Sequence, residues 1–204
     1  MPVRHPRPSI PAGCLAAWHA GARMIRSLLR HGLPALLAAV LTLPAQAAPP
    51  TEYQLKAVFL LNFARYVTWP DQAVAEGAAI DICVLGRDPF GMHLTGLEAR
   101  QAQGHAIKVH IVSAPEAAEG CEVVFVSTSE QRKLNAILRD LMPWPVLTVS
   151  DIDGFVEAGG MIGLVTEDDR IRFDINRTSL AAHRLRLSAQ LLKLARRLIG
   201  QDGL

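Results

Sequence analysis

The hydrophobic and polar positions of the chain follow two periods, and each period predicts one kind of element. Between residues 51 and 67 the apolar side chains recur at helical spacing and Thr51 can cap the first turn, which predicts a helix. Apolar residues also lie outside that face, so we expect this helix to be buried on more than one side. Short apolar runs predict four strands, at residues 80–85, 107–112, 123–126 and 145–149.

The rest of the chain alternates helices with strands. Two shorter helices are predicted at 89–100 and 130–141, and a hairpin at 161–166 and 170–175. One long helix is predicted from residue 178 to residue 200, because a stripe of leucines recurs at helical spacing: Leu180, Leu187, Leu191, Leu194 and Leu198. This order predicts a single α/β domain with a mostly parallel sheet flanked by helices, a C-terminal antiparallel hairpin and a long C-terminal helix.

The first 47 residues have the pattern of an export signal. A basic head at residues 24–31 precedes an apolar run at 33–43, and Ala45-Gln46-Ala47 offers a cleavage site before Ala48. An uncleaved anchor is the alternative, although the run is too short to span a bilayer. Met24 is an alternative start of the chain. We therefore expect a signal peptide at 1–47, a domain at 48–204 and a periplasmic location.

Charge and cysteine content narrow the function classes. Residues 48–204 carry 16 basic and 19 acidic side chains, a balance that argues against a nucleic-acid binder. This part of the chain keeps two cysteines, Cys83 and Cys121, which in an oxidising compartment form either one disulfide or two buried thiols. Neither has a Cys-x-x-Cys partner, so a thiol-redox enzyme is not expected. No metal-ligand spacing and no catalytic set is recognisable.

Two kinds of binding surface are candidates. Ligands of open α/β sheets bind at the carboxyl ends of the strands, where three polar clusters are expected: Arg87 and Asp88, Ser127, Thr128 and Ser129, and Ser150 and Asp151. The alternative is that these residues are ordinary caps and turns. A partner or dimer surface is expected on the first and last helices, at Phe59, Phe63, Leu187 and Leu191. Trp144, held between two prolines, is either an exposed anchor for a partner or a packed loop residue.

Six segments, in this order and spacing, resemble the YfiR family, which was long catalogued as a domain of unknown function. The resemblance covers residues 51–199, and it is carried by Glu52–Pro70, Cys83–Gly91, Pro145–Asp151, Gly159–Ile162, Ile171–Asn176 and Leu191–Ala195.

The resemblance implies a periplasmic α/β domain akin to half of a periplasmic binding protein. It also implies a homodimer that represses a membrane diguanylate cyclase through the periplasmic sensor region of that enzyme. An outer-membrane lipoprotein would relieve the repression, and low cyclic-di-GMP would disfavour biofilm. Cys83 and Cys121 match one cysteine pair of the family. The second pair has no counterpart, since residues 155–162 contain no cysteine, and His183-Arg184 is a further departure.

The leading hypothesis is therefore an exported regulatory binding protein without enzymatic activity or cofactor. The alternative is a periplasmic sensor that binds a small solute at the carboxyl ends of the strands.

Overall fold

The computed structural model describes residues 51–70 and 73–200, all of which belong to one unit of the chain, Pro50–Leu204. Its strands are β1 (Val67–Thr68), β2 (Ile80–Leu85), β3 (Gln101–Ala102), β4 (His105–Val112), β5 (Val123–Val126), β6 (Leu147–Ser150), β7 (Ile162–Glu167), β8 (Arg170–Asn176), β9 (Arg186–Leu187) and β10 (Arg197–Ile199). Its α-helices are α1 (Glu52–Tyr66), α2 (Met92–Thr95), α3 (Leu134–Leu141), α4 (Arg177–Ala182) and α5 (Ala189–Leu194). Two 3₁₀ helices lie at Pro115–Ala118 and Thr128–Lys133.

An eight-stranded sheet has the order β10-β8-β7-β6-β5-β2-β4-β3. Its centre, from β4 to β7, is parallel, whereas β7 and β8 form an antiparallel hairpin and β3 pairs antiparallel with β4. The two short strands β1 and β9 pair separately. The predicted fold class, a single α/β domain with a mostly parallel sheet, is confirmed, as is the hairpin near its C-terminal end.

The central strands are apolar on both faces, and each face is covered by different elements. In β2, Ile82 and Val84 belong to one core, together with Leu60 and Phe63 of α1. Cys83 and Leu85, which point the opposite way, belong to the second core, which α3 covers. Strand β5 is buried at every position, as its unbroken apolar run predicts.

The second core is closed by the disulfide between Cys83 and Cys121, whose Cα atoms are 6.1 Å apart. It joins the middle of β2 to the turn that leads into the neighbouring strand β5. Of the two states that the sequence left open, the structure contains the disulfide.

The predicted long C-terminal helix is wrong. Residues 177–199 instead form α4, β9, α5 and β10, and the first break lies at Arg184, whose φ is +58°. Leu180, Leu185 and Leu191 are all buried in the first core, which a single straight helix would not allow with the strand pairings observed. Ser188 donates its N–H to the carbonyl of Tyr66 and caps α5 with its hydroxyl, which starts a new helix at that point.

The shorter helices also differ from the prediction. Only Met92–Thr95 is α-helical within residues 89–100, because Asp88 accepts hydrogen bonds from the N–H groups of Phe90 and Gly91 and holds a turn there. The predicted helix at 130–141 begins as the 3₁₀ helix after Ser127 and becomes α-helical at Leu134. The strands predicted at 80–85 and 123–126 have the predicted bounds.

A buried carboxylate fixes the last strand. Asp174 of β8 is 2% exposed and receives two hydrogen bonds from Arg196, at 2.8 and 2.7 Å, while Arg197 donates to the same carboxylate and to Glu157. The hydrogen bond from Arg196 lowers the pKa of Asp174, burial opposes this, and the hydrogen bond from Arg197 lowers it further. Strand β10 therefore lies beside β8 because Arg197, its first residue, and Arg196 just before it compensate the buried charge of Asp174.

The part of the chain that the structure describes has no helix of the length and hydropathy that crossing a bilayer requires. The predicted signal peptide, with its alternative start at Met24, lies outside the described residues.

Removing the disulfide should lower the free energy of unfolding by about 4 kcal/mol, because the bridge closes a loop of 38 residues in the unfolded chain. We expect this loss in the double variant Cys83→Ala/Cys121→Ala, measured by urea unfolding. The wild-type protein under a reducing agent is the control that keeps both side chains. If the reduced and oxidised proteins unfold at the same urea concentration, the bridge does not stabilise the fold.

Acid should weaken the anchoring of β10. Because the pKa of Asp174 is lowered in the fold, its contribution is present above the pKa of an unfolded aspartate, about 3.9, and is lost as the pH falls through the lower native value. We expect Asp174→Asn to reduce stability at pH 6 and to flatten its decline below pH 4 in urea titrations. Asp140→Asn, at an exposed position, is the matched control and should follow the wild-type curve.

Candidate functional site

The polar residues predicted to line a cleft do meet at one edge of the sheet. Strands β2, β5 and β6 are parallel neighbours, so the segments after them lie side by side. The N–H of Arg87 donates to Ser129 Oγ at 3.0 Å, and Ser129 Oγ donates to Glu130 at 2.9 Å. Gly86 permits this approach, because its φ is +99° and a Cβ there would stand 2.5 Å from Ser129 Oγ.

Most of these side chains form hydrogen bonds with the backbone of the turns at this edge of the sheet. Ser150 Oγ donates to the carbonyl of Val126 at 2.6 Å and accepts from the N–H of Ile152 at 3.0 Å. Ser127 caps the 3₁₀ helix and Asp88 closes its own turn. The side chains of Arg87 and Thr128 are exposed. The alternative prediction, that these residues are ordinary caps and turns, therefore accounts for Ser127, Ser150 and Asp88. A ligand cleft at this edge stays a prediction.

Asp151 belongs to a buried charge cluster that the sequence did not reveal. Lys56 Nζ lies 2.6 Å from Asp151 Oδ2 and 2.6 Å from Glu52 Oε1, and the Tyr53 hydroxyl donates to Asp151 Oδ2 at 2.9 Å. The side chains of Lys56 and Asp151 are 5% and 6% exposed. The ammonium of Lys56 also lies 4.5 Å from the centre of the Tyr53 ring. The cluster joins the first turns of α1 to the carboxyl end of β6.

The pKa shifts in this cluster fit a structural role, in which the cluster holds α1 against the carboxyl end of β6. Burial lowers the pKa of Lys56, but hydrogen bonds with Asp151 and Glu52 outweigh burial, so the pKa is raised. Burial and the hydrogen bond to Asp151 raise the pKa of Tyr53. The hydrogen bond from Lys56 lowers the pKa of Glu52. A lysine or tyrosine that acts as a base needs a lowered pKa, whereas here both pKa values are raised, so Lys56 stays charged and Tyr53 stays neutral near neutral pH.

One pattern in the sequence could have located this cluster. Lys56 lies four and seven residues before Leu60 and Phe63, so it shares the buried stripe of α1. A lysine on a buried stripe requires a buried carboxylate, although the sequence does not say which.

A cavity of about 520 Å³ lies elsewhere, beside the tryptophan predicted as a partner anchor. It is lined by Trp144 with its two flanking prolines, Pro70, Ala73, Met142, Ala182, His183 and Arg184. His183 Nδ1 donates to the carbonyl of Ser179 at 2.9 Å, and this fixes the ring at the cavity wall. Trp144 itself is half-buried and packs against the second core.

The other residues predicted for a partner surface are distributed between core and surface. Phe63 and Leu191 lie in the first core, so their assignment to an exposed surface is wrong: Phe63 contacts Phe173, and Leu191 is buried because α5 packs on the domain. Phe59 and Leu187 are partly buried against the same core. Contacts of Phe59, Leu187 and Trp144 with a partner stay predictions.

Among the described residues, no group of three or more histidine, cysteine, aspartate and glutamate side chains could hold a metal ion. At the carboxyl edge, the Ser150 hydroxyl is hydrogen-bonded to the backbone and Asp151 Oδ2 to Lys56, whereas Asp151 Oδ1 is buried without a hydrogen-bond partner.

The model of the YfiR/HmsC-like family matches residues 53–196, and the chain belongs to that family. It is a family of periplasmic regulatory proteins linked to diguanylate cyclases rather than of known enzymes. The matched residues include both cysteines, the Lys56–Asp151 pair and Asp174 with Arg196.

Two solved structures resemble the fold at low sequence identity. A conserved domain protein from Vibrio cholerae is 12% identical, with a TM-score of 0.53 over 73% of this chain and 60% of that one. The ABC domain in complex with L-Trp from Streptococcus pneumonia is 10% identical, with a TM-score of 0.47 over 72% of this chain and 60% of that one. The chain thus spans about 60% of the length of each structure, and the first likeness shows the fold alone.

Lys56→Met should cost about 3–5 kcal/mol of stability, because it leaves the buried carboxylate of Asp151 without its cation. The double variant Lys56→Met/Asp151→Asn should recover part of this loss, as measured by urea unfolding. Lys133→Met, which removes an exposed lysine 3.5 Å from Glu130, is the control and should cost less than about 1 kcal/mol. Strictly additive effects of Lys56→Met and Asp151→Asn would mean that the two residues do not act as a pair.

Proposed function

We propose that this protein is a periplasmic repressor of an inner-membrane diguanylate cyclase, acting on the periplasmic sensor region of that enzyme. The observation that carries the proposal is membership of the YfiR/HmsC-like family over residues 53–196. Repression lowers cyclic-di-GMP and thereby biofilm formation. An outer-membrane lipoprotein that binds the repressor would relieve the repression, and the repressor itself would act as a homodimer.

The mechanism that we propose is selection of one state of the cyclase. The repressor binds the inactive conformation of the sensor region more tightly than the active one. The ratio of the two affinities determines how far the cyclase population moves towards the inactive conformation. A rigid binding partner suits this role, because ordering the repressor on binding would reduce its affinity. The disulfide and the two buried ion clusters support such rigidity.

The alternative, a sensor of a small solute, is favoured by one observation. The cavity beside Trp144 and His183, at about 520 Å³, has the size of a small-molecule site. This location differs from the carboxyl edge that the sequence indicated. Ligand screening by thermal shift tests the idea, because a solute at 100 times its Kd stabilises the fold by about 2.7 kcal/mol. A shift that Trp144→Ala abolishes would support a sensor, and no shift across a broad library would exclude it.

Repression should be visible with purified components. The tagged protein from Ala48 is first used to recover its cyclase from solubilised membranes of the native host. That cyclase in nanodiscs, where both sides are accessible, should make cyclic-di-GMP more slowly when the oxidised protein is added. Unfolded, reduced protein is the control. If output stays constant at saturating protein, this cyclase is not the target.

The tryptophan gives a sharper version of the same test. If Trp144 anchors the cyclase, Trp144→Ala should raise the concentration needed for half-repression by about tenfold or more, as truncation of an interface anchor does. Ile111→Ala, at another exposed hydrophobic position, is the matched control and should behave as wild type. Equal effects of the two variants would remove Trp144 from the contact.

A further inference from the structure

A groove of about 390 Å³ lies on the outer side of α1, away from the cavity at Trp144. Its floor is apolar and is formed by Ala57 and Leu61 of α1 and by Leu97, which follows α2. Val58 and Met92 rise on its two sides and are 48% and 80% exposed. The groove follows α1 from residue 54 to residue 65, a length of about 16 Å. A surface of this form exposes apolar side chains that a partner would cover.

Every charged or titratable side chain that lines the groove is basic. Arg65 and Arg100 line it towards the C-terminal end of α1, and His93 lines it towards the N-terminal end. In the part of the chain that the structure describes, no carboxylate pairs with either arginine. Residues 48–204 as a whole carry more acidic than basic side chains, so this basic groove contrasts with the rest of the domain.

The two walls of the groove are tied together at both ends. Near the N-terminus of α1, Thr51 Oγ1 lies 3.3 Å from His93 Nε2. Near the C-terminus of α1, Arg65 Nε donates to the carbonyl of Gln101 at 3.2 Å, and the Gln103 amide donates to the carbonyls of Ala64 and Val67, both at 2.8 Å. The groove is therefore formed before anything binds in it, which reduces the cost of binding.

The charge of the groove selects among its conceivable occupants. A second copy that docked the same face would offer Arg65 and Arg100 only basic side chains as charged or titratable partners, because the lining of the groove contains no carboxylate. Residues 1–50 of the chain carry five arginines and no acidic residue, so they too are repelled. A flat anionic membrane would meet the rim but would leave the apolar floor uncovered.

We propose that this groove is a docking site for a segment of a protein partner that carries apolar side chains on one face and carboxylates beside them. The apolar side chains lie on Ala57, Leu61 and Leu97, and the carboxylates pair with Arg65 and Arg100. The carboxylates set the orientation and the partner, while the apolar contact supplies most of the affinity. The proposal rests on the proposed function only for the expectation that the partner is the cyclase.

Site-specific photo-crosslinking tests the groove directly. p-Benzoylphenylalanine replaces Val58 in the full chain expressed in the native host, and the crosslinked peptide is sequenced by mass spectrometry. We expect a segment of a membrane protein with more acidic than basic residues. Arg65→Glu/Arg100→Glu should reduce this crosslink by about tenfold, corresponding to two lost charge contacts. Arg170→Glu/Arg172→Glu, at exposed positions on the β7–β8 hairpin, is the matched control and should change it less than twofold.

A charge exchange completes the experiment. Lysines in place of the acidic residues of the captured segment should restore crosslinking to Arg65→Glu/Arg100→Glu, and unchanged melting temperatures exclude unfolding of the variants. The proposal is overturned if Val58 captures a second copy, lipid or nothing, or if the charge reversal has no effect. If the captured protein is no cyclase and cyclic-di-GMP output does not respond, the proposed function fails and the groove stands. If the charge-reversed variant keeps the wild-type crosslink and also represses a cyclase as wild type does, the proposed docking site is wrong and the proposed function stands.

Discussion

Burial of the central strands on both faces is the constraint on which the rest of the structure depends. Val123–Val126 has no polar side chain on either side, so the sheet requires a helical layer on each face. Helix α1 covers one face and α3 the other, and the Cys83–Cys121 bridge lies within the second core. The parallel order of β2, β5 and β6 then brings the three polar turns together at one edge.

Two buried carboxylates fasten the outer elements to this central sheet. Asp151 holds α1 through Lys56, and Asp174 holds β10 through Arg196 and Arg197. Asp151 directly follows β6 and Asp174 lies in β8 beside the edge strand β10, and at both places apolar packing alone does not fix the angle of approach. A charge pair with two or more hydrogen bonds is more directional than apolar contact, and it therefore sets how the helix and the strand lie on the sheet. The groove proposed for a partner lies along α1, which the Lys56–Asp151 pair positions.

Patterns within one element were predictable, whereas pairings between distant elements were not. The strands at 80–85 and 123–126 and the first helix follow from local periodicity, because burial alone dictates their side chains. Residues 177–199 have leucines at helical spacing, yet Ser188 pairs with Tyr66 and Arg196 with Asp174, and these long-range bonds outweigh the local preference. At the edge, the sequence indicated Asp151 but not Lys56, since the partner of a buried charge depends on the tertiary structure.

The ion cluster at Asp174 also has a consequence for the order in which the chain acquires its structure. Most of both cores and the β7–β8 hairpin precede residue 177 in the chain, but the guanidinium groups that compensate Asp174 are more than 20 residues beyond that aspartate. Until Arg196 and Arg197 pair with it, the carboxylate of Asp174 must stay hydrated or become protonated, so water cannot be excluded from this side of β8. In a chain that folds as it is synthesised, from its N-terminus onward, this edge of the sheet is therefore completed last.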